Sequence, residues 1–522
     1  MNKIFEFLPN KVEAFLLSTE DELLTEYTLE CNKRLQFLTG FTGSLAFALI
    51  KKEGKNLIFV DGRYTTQAKQ EVDESFEIHP LKDFAEHLKG IYFALNGKHH
   101  SYKFVQSLKE KGFNFEIILE CPVDKIWKRE INVSRETFNF ELAEFSKEQK
   151  IEKVLSHLTE KGADAIFISN PHDVCYLFNI RGNYLENSPI VPCFGIVSRE
   201  TSKIIFPEEV QNLKLGKVLV SSEASYFIYS TLSQNNTVIK DVANFLETQK
   251  AVKTDYELEC IKKAHIEDGK ALKEFASWLK SADLKNETEY TIGEKLLEFR
   301  KKQKGFVCES FPAIVGFKEN GAIVHYRAKK ETAKQINENG ILLIDSGGQY
   351  YNKELGIAGT TDVTRVFAIG SPSQDEKRAY TLVLKGHIAL ACAVFPVGTT
   401  GAMLDVLARQ FLWKEGKNYN HGTGHGVGYY LSVHEGGCGI SANYNQKLMA
   451  GMIVSNEPGF YEENKFGVRF ENLMFVKNSK IEGFLEFEIL TKFGVEPLLL
   501  DYDILTDSEL EWLTNYTTFS NS

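Results

Sequence analysis

The sequence predicts an α/β fold (α+β in its last part) laid out in three successive domains, and three observations predict it. At 522 residues the chain is too long for one ordinary core. Apolar strand-like runs alternate with amphipathic helical stretches from end to end. Helix-start signals recur where one such series gives way to the next, dividing the chain into 1–145, 146–249 and 250–522.

In the first domain NLIFVD (56–61) and FNFEIILE (113–120) read as strands, and FAEHLKGIYFAL (84–95) as helix. The second domain opens on a capping box, Ser146 with Gln149. Its helix runs through IEKVLSHLTEK to Gly162 at the C-terminal cap, and ADAIFIS follows as a buried strand. The repeated layout of these two domains hints at duplication. The third begins with Thr254 and Glu257, a capping box that opens DYELECIKKAHIEDGKALKEFASWLK; Thr291 and Glu294 repeat the device ahead of GEKLLEFRKKQK and Gly305. Four strands then stand out: ILLID (341–345), TTDVTRVFAI (360–369), MIVSNEP (452–458) and GVRFENLMFV (467–476). Each carries one acid inside an apolar or β-branched run. A carboxylate buried in a sheet is costly unless a cation compensates it, so four of them in one domain need a common explanation.

Composition narrows the partners. The net charge is -10 and basic residues form no stripe, which argues against nucleic acid. The N-terminal residues carry charges every few positions, and no run approaches the ~18 apolar residues of a membrane span. A cytoplasmic protein that does not engage membranes is the expectation. The eight cysteines are scattered without a CxxC pair, which fits reduced, buried thiols better than a zinc ribbon or a disulfide scaffold.

HGTGHGVG (421–428) places two histidines four positions apart. On a helix they would share a face, as in HExxH metalloproteases, but the intervening glycines disfavour helix and the glutamate is missing. Glycines suit a loop in which backbone approaches a ligand or another strand. Together with one histidine, Asp345, Asp362, Glu457 and Glu471 make four carboxylates and one imidazole. That oxygen-rich set suits two hard-to-borderline divalent ions sharing bridging carboxylates.

DSGGQYYNKELGIAGTTDVTR (345–365), HGTGHGVG, SNEPGFY (455–461) and GVRFEN (467–472), in this order, resemble the pita-bread metallopeptidases, and among them the Xaa-Pro aminopeptidases. GFTGS (40–44), VDGRY (60–64), LFNIRG (177–182), SFPAIVG (310–316) and NGAIVHY (320–326) resemble the cytosolic three-domain form. The resemblance implies two creatinase-like N-terminal domains followed by a pita-bread catalytic domain. It implies Asp345 as a terminal ligand of one metal, Asp362 and Glu471 as bridging ligands, and His425 and Glu457 as ligands completing the second. His421 would border the substrate pocket, His325 and His434 would hold the substrate and the tetrahedral intermediate, and Arg469 would balance the carboxylates. The implied cofactor is a pair of divalent ions, Mn(II) by family preference, and a homodimer is implied likewise. One departure is the interval from Asp345 to Asp362, longer than is usual in the family because YNKELGIA is inserted; the rim of the site is the property placed in doubt.

The expected reaction is hydrolysis of the bond between an N-terminal residue and a following proline by a hydroxide shared between the ions. Glu457 would act as general base and then acid, and His434 would steady the oxyanion. Ser44 and Ser310 lack the GxSxG setting of a nucleophile and read as structural. Asp61 and Arg63 read as an ion pair at a strand end, the alternative being that Arg63 reaches the substrate. A prolidase acting on Xaa-Pro dipeptides and a non-catalytic pita-bread peptide binder are the rival readings.

Overall fold

The computed structural model describes residues 1–241 and 244–521. Its contacts define two units, one formed by 1–140, 145–185 and 190–246, the other by 141–144, 186–189 and 247 onward. Among the described residues no helix is long and apolar enough to cross a membrane.

The N-terminal unit holds two large sheets. In the first, Phe76–Pro80, Asn56–Val60, Ala46–Lys51, Ala14–Ser18, Phe93–Asn96 and Phe115–Ile118 lie side by side. Ala14–Ser18 is buried along its whole length because both faces are covered: Phe15 and Leu17 enter one core, Ala14 and Leu16 the other. FAEHLKGIYFAL divides into the short helix Phe84–His87 and the strand Phe93–Asn96, a correction to the expected single helix. The break falls at Gly90, whose φ of 76° no continuing helix tolerates, and the aromatic and apolar residues beyond it pair into the sheet.

The second sheet has Ala165–Ile168 at its centre, antiparallel to Phe194–Ser198 and parallel to Lys217–Ser221. The helix before it, Lys147–Lys161, has the expected capping box at Ser146 and Gln149 and ends on Gly162 at φ 62°.

In the C-terminal unit the 27-residue helix Asp255–Ser281 is capped reciprocally by Thr254 and Glu257. The next helix starts three residues earlier than expected. Thr288 is its N-cap with Thr291 at the third helical position, the helix spans Glu289–Arg300, and Gly305 serves the turn into Phe306–Glu309. Thr288 rather than Thr291 has the extended backbone a cap requires.

Gly340–Ser346 runs between Ile314–Phe317 and Val363–Ile369, with unbroken antiparallel register to the latter from Gly340↔Ile369 to Ser346↔Val363. Alternation sends Leu342 and Ile344 toward the helices Asp255–Ser281 and Glu289–Arg300, and Ile341 and Leu343 toward the helix Gln374–Ala391. The residues between Asp345 and Asp362, the inserted YNKELGIA among them, form a hairpin, Gly348–Asn352 with Ile357–Thr360, extended by Phe306–Glu309. Buried Asp268 ties it down, accepting from Tyr350 Oη at 2.8 Å and from Arg300 Nε at 2.8 Å. The insertion is therefore absorbed outside the strands that carry the two aspartates, which keep their pairing.

The remaining large sheet orders Val394–Pro396, Phe484–Ile489, Asn472–Asn478, Ile453–Asn456, Gly424–Gly426 and Glu435–Ile440. A separate two-stranded ribbon pairs Gly459–Glu462 with Phe466–Arg469. GVRFENLMFV is thus two strands, Phe466–Arg469 and Asn472–Asn478, with Phe470 and Glu471 between them. Of the four acids expected inside strands, Asp345 alone is so placed; Asp362, Glu457 and Glu471 stand at strand ends. Where ladder hydrogen bonding stops, the backbone can turn to aim a side chain across sheets.

Candidate metal centre

Long-range strand pairing brings the acids together. Asp345 is opposite Thr364, and the Ile453–Asn456 strand pairs with both Asn472–Asn478 and Gly424–Gly426. Asp362, His425 and Glu471 each bring a donor atom within 4.8 Å of the others. Glu457 Oε1 lies 3.5 Å and Asp362 Oδ2 3.4 Å from His425 Nε2. Nδ1 of that histidine is 2.8 Å from the Gly426 carbonyl, which assigns it a proton and turns Nε2, able to take a second proton or a cation, toward the carboxylates. Asp345 joins through Arg469, whose Nη2 donates to Oδ2 at 2.7 Å.

Smaller side chains set these rotamers. Thr364 donates to Glu471 Oε2 at 2.7 Å and accepts from Arg469 Nε at 3.1 Å. Ser455 accepts from the His425 amide at 2.9 Å and donates to Glu457 Oε1 at 3.0 Å. The glycines of HGTGHGVG answer to crowding between strands. A Cβ on Gly424 would sit 2.0 Å from the Ser455 carbonyl oxygen, and one on Gly426 2.4 Å from that of Glu435. Arg409 cradles the approach to this segment, donating to the carbonyls of Tyr419 at 2.8 Å and His421 at 2.7 Å.

His421 heads a second chain of contacts. Tyr461 Oη accepts from Arg469 Nη1 at 2.6 Å and lies 2.9 Å from His421 Nε2, while His421 Nδ1 is 2.7 Å from the Gly422 carbonyl. His421 thus carries its proton on Nδ1 and accepts at Nε2, with Nδ1 3.9 Å from Glu457 Oε2. The half-buried His434 sets its ring edge to face with His425, centroids 4.3 Å apart. It is anchored by its neighbour Glu435, which pairs with Lys253 at side-chain exposures of 2% and 1%. His325 is half-buried and follows Val324, whose carbonyl accepts from Arg469 Nη2 at 3.4 Å. Tyr461, Thr364 and Ser455 lie inside the motifs SNEPGFY and DSGGQYYNKELGIAGTTDVTR, but no local pattern marks them, since a hydroxyl's partner is invisible until the strands are paired.

The electrostatics ask for cations. Burial, then the charges of Asp362, Asp345 and Glu457, pushes the Glu471 carboxyl well above the usual carboxylate range. Burial pushes Asp345 up to about 6 even with Arg469 beside it. Burial would lower the His425 imidazole, but its bond to Asp362 and the charge of Glu457 raise it to about 9. Among the described residues, the buried atoms Asp345 Oδ1 and Asp362 Oδ1 have no hydrogen-bond partner. Four carboxyls, one imidazole and two orphaned buried oxygens fit a pair of divalent ions.

Ser310 Oγ donates to the Thr361 carbonyl at 2.8 Å, and Ser44 Oγ lies 2.8 Å from Tyr64 Oη. Arg63 Nε pairs with Asp61 Oδ1 at 2.7 Å.

Proteins of the fungi Botryotinia fuckeliana and Paracoccidioides brasiliensis, each named "Probable Xaa-Pro aminopeptidase P", are 33% identical to this chain over 97% of its length, with 86% and 92% of their own lengths covered. The chain belongs to the Xaa-Pro aminopeptidase P family. Within that family assignment, residues 259–478 match the metallopeptidase family M24, and 10–118 and 136–212 match creatinase/prolidase N-terminal domains. The architecture is therefore two creatinase-like N-terminal regions followed by the pita-bread fold. The X-prolyl aminopeptidase of Caenorhabditis elegans, described as a cytosolic enzyme with a di-nuclear active site, superposes with a TM-score of 0.88 at 28% identity, covering 98% of this chain and 91% of its own. Prolidase from Pyrococcus furiosus shares the fold alone, with a TM-score of 0.51 at 23% identity over 64% of this chain and 98% of its own.

Proposed function

We propose that this member of the Xaa-Pro aminopeptidase P family removes the N-terminal residue from peptides with proline in second position, as a metal-dependent hydrolase. The observation that carries the reading is the convergence of Asp362, His425 and Glu471, with Glu457 and Asp345 beside them, in a chain alignable along its length with Xaa-Pro aminopeptidases P. These five residues would hold two divalent ions, Mn(II) by family preference, which would acidify a bound water, whose pKa falls from about 15.7 to about 7 on a single metal, and offer a Lewis-acid contact for the scissile carbonyl. Glu457, with Oε1 fixed by Ser455, takes the proton of the attacking water and returns it to the proline nitrogen. His434 donates to the oxygen of the scissile carbonyl as charge develops there. His421 and His325 border the proline, and Arg469 keeps Asp345 ionised and Tyr461 in place.

The same reading treats 1–145, 146–249 and 250–522 as three domains and places the protein in the cytoplasm. It gives the protein no nucleic-acid or membrane partner. A homodimer is supported by the helix Gly401–Trp413, where Met403, Val406 and Trp413 share one face and are 65%, 43% and 47% exposed. Val406→Glu is expected to convert a dimer to monomer in sedimentation; an unchanged sedimentation coefficient removes that face from consideration.

The deciding experiment follows release of the first residue from a Xaa-Pro tripeptide, a Xaa-Pro dipeptide and a Xaa-Ala tripeptide, using metal-stripped protein with and without Mn(II). Metal-dependent cleavage confined to the Xaa-Pro tripeptide is expected. Preference for the dipeptide makes the protein a prolidase, and metal binding without any cleavage makes it a peptide binder.

A further inference from the structure

A fully buried histidine that this chemistry leaves unused stands behind two of the carboxylates. Glu457 follows the Ile453–Asn456 strand, Glu471 precedes the Asn472–Asn478 strand, and the two strands pair with Asn456 opposite Asn472. Asn456 and Asn472, the last and the first residue of these strands, both turn toward one helix. Both asparagines meet His387 of the helix Gln374–Ala391, which is 0% exposed. Asn456 Nδ2 donates to the His387 carbonyl at 3.0 Å, and His387 Nδ1 lies 3.0 Å from the Asn456 carbonyl oxygen. Asn472 Nδ2 lies 3.0 Å from His387 Nε2.

The network assigns the protons. Asn472 Oδ1 accepts from Arg365 Nη2 at 2.7 Å and from Tyr516 Oη at 3.0 Å, so its Nδ2 is the end that donates to His387. His387 Nε2 therefore accepts, and Nδ1–H donates to the Asn456 carbonyl. Burial, with Arg365 nearby, pushes this imidazole down to about 3, which keeps it neutral under ordinary conditions. Arg365 Nη1 also donates to the Glu471 carbonyl, so the network holds that ligand's backbone from a second side.

We infer that His387 is a positioning residue for the metal centre, a strut whose Nδ1 holds the backbone of Asn456 beside Glu457 and whose Nε2 holds the side chain of Asn472 beside Glu471, at the spacing that two ions require. This rests on the dinuclear reading above. Hydrogen-bonding partners outside the ligand set commonly govern metal affinity, and losing one typically costs about 10–100-fold.

The test is Mn(II) titration of the stripped, full-length protein by calorimetry, with thermal melting of each variant before metal is added. Wild type is expected to take up two ions per chain. His387→Leu should bind at least one of them about 10–100-fold more weakly. His387→Gln offers an oxygen near the Nε2 position and His387→Asn an N–H near the Nδ1 position, so each should recover part of the loss. Val383→Ala, in the same helix and core but away from the asparagines, should loosen packing and leave Mn(II) affinity unchanged. Wild-type affinity in His387→Leu overturns the inference, as does equal weakening in Val383→Ala. Should the leucine variant not fold, unchanged affinity in both the Gln and Asn variants overturns it equally. Failure of the wild type to bind Mn(II) removes the dinuclear reading and the inference with it.

Discussion

Single atoms decide the chemistry at the residue scale. Glu457 touches both histidines of the HGTGH segment, 3.5 Å from His425 and 3.9 Å from His421. Glu457→Gln keeps the shape and removes the proton acceptor. At saturating Mn(II) its kcat on a Xaa-Pro tripeptide should fall by about 10²–10⁴-fold, read by steady-state kinetics. Tyr461 joins Arg469 to His421, so Tyr461→Phe removes two contacts, one of them to a charged group. A loss of about 1.5–3 kcal/mol is expected, seen as a drop in kcat/KM of about 10-fold or more with Mn(II) affinity near wild type. The acids of this site are legible because a carboxylate within an apolar run is conspicuous, and the HGTGH histidines because glycines surround them; His325 and His434 stand out through the family resemblance alone. Tyr461 and Thr364 are not legible, because an aromatic or β-branched residue in a strand is ordinary until its hydroxyl is seen to have a partner.

Local patterns at the element scale specified kind better than limits. The capping boxes at Ser146 and Thr254 were readable from two residues each. That of the next helix is displaced by three positions, since NETEYTIGE (286–294) offers threonine and glutamate in more than one register, and packing of Ile292 and Leu296 into the core selects among them. Thr288→Ala should therefore cost about 0.5–2 kcal/mol of stability in urea unfolding, the usual effect of losing a cap. The inserted stretch after Asp345 became a hairpin because Gly356, at φ 61°, closes its turn and Tyr350 and Ile357 find a core against Ala264. Its inner residues Gln349 and Thr360 donate to the Leu431 carbonyl at 2.7 and 3.0 Å, three residues before His434. The hairpin that the insertion lengthens thus also braces a loop of the site through residues flanking the inserted stretch.

The two units of the whole molecule have separate cores, so their stabilities can respond to pH separately. His100, wholly buried in the N-terminal unit, is lowered by burial from 6.5 to about 4. Between those values the unfolded chain binds a proton that the folded chain does not, so stability is lost as pH falls from about 6.5 toward 4. The difference amounts to about 3 kcal/mol for this group. His100→Gln should flatten that part of the pH dependence, measured by hydrogen exchange in the Ala14–Ser18 and Phe93–Asn96 strands at pH 7 and pH 4.5.

What the sequence determined by itself is the fold class, the helices with reciprocal caps, the apolar strands and the set of four acids that stands out as candidate ligands, because each is written in neighbouring positions through alternation, capping or a misplaced charge. Tertiary structure alone decided which face each acid presents, why Gly424 must lack a side chain, how Tyr461 reaches His421, and that His387 carries its proton on Nδ1. Those facts arise between residues as far apart in the chain as 345 and 469 or 387 and 472, brought together by strand pairing and burial, and no local pattern encodes a contact of that span.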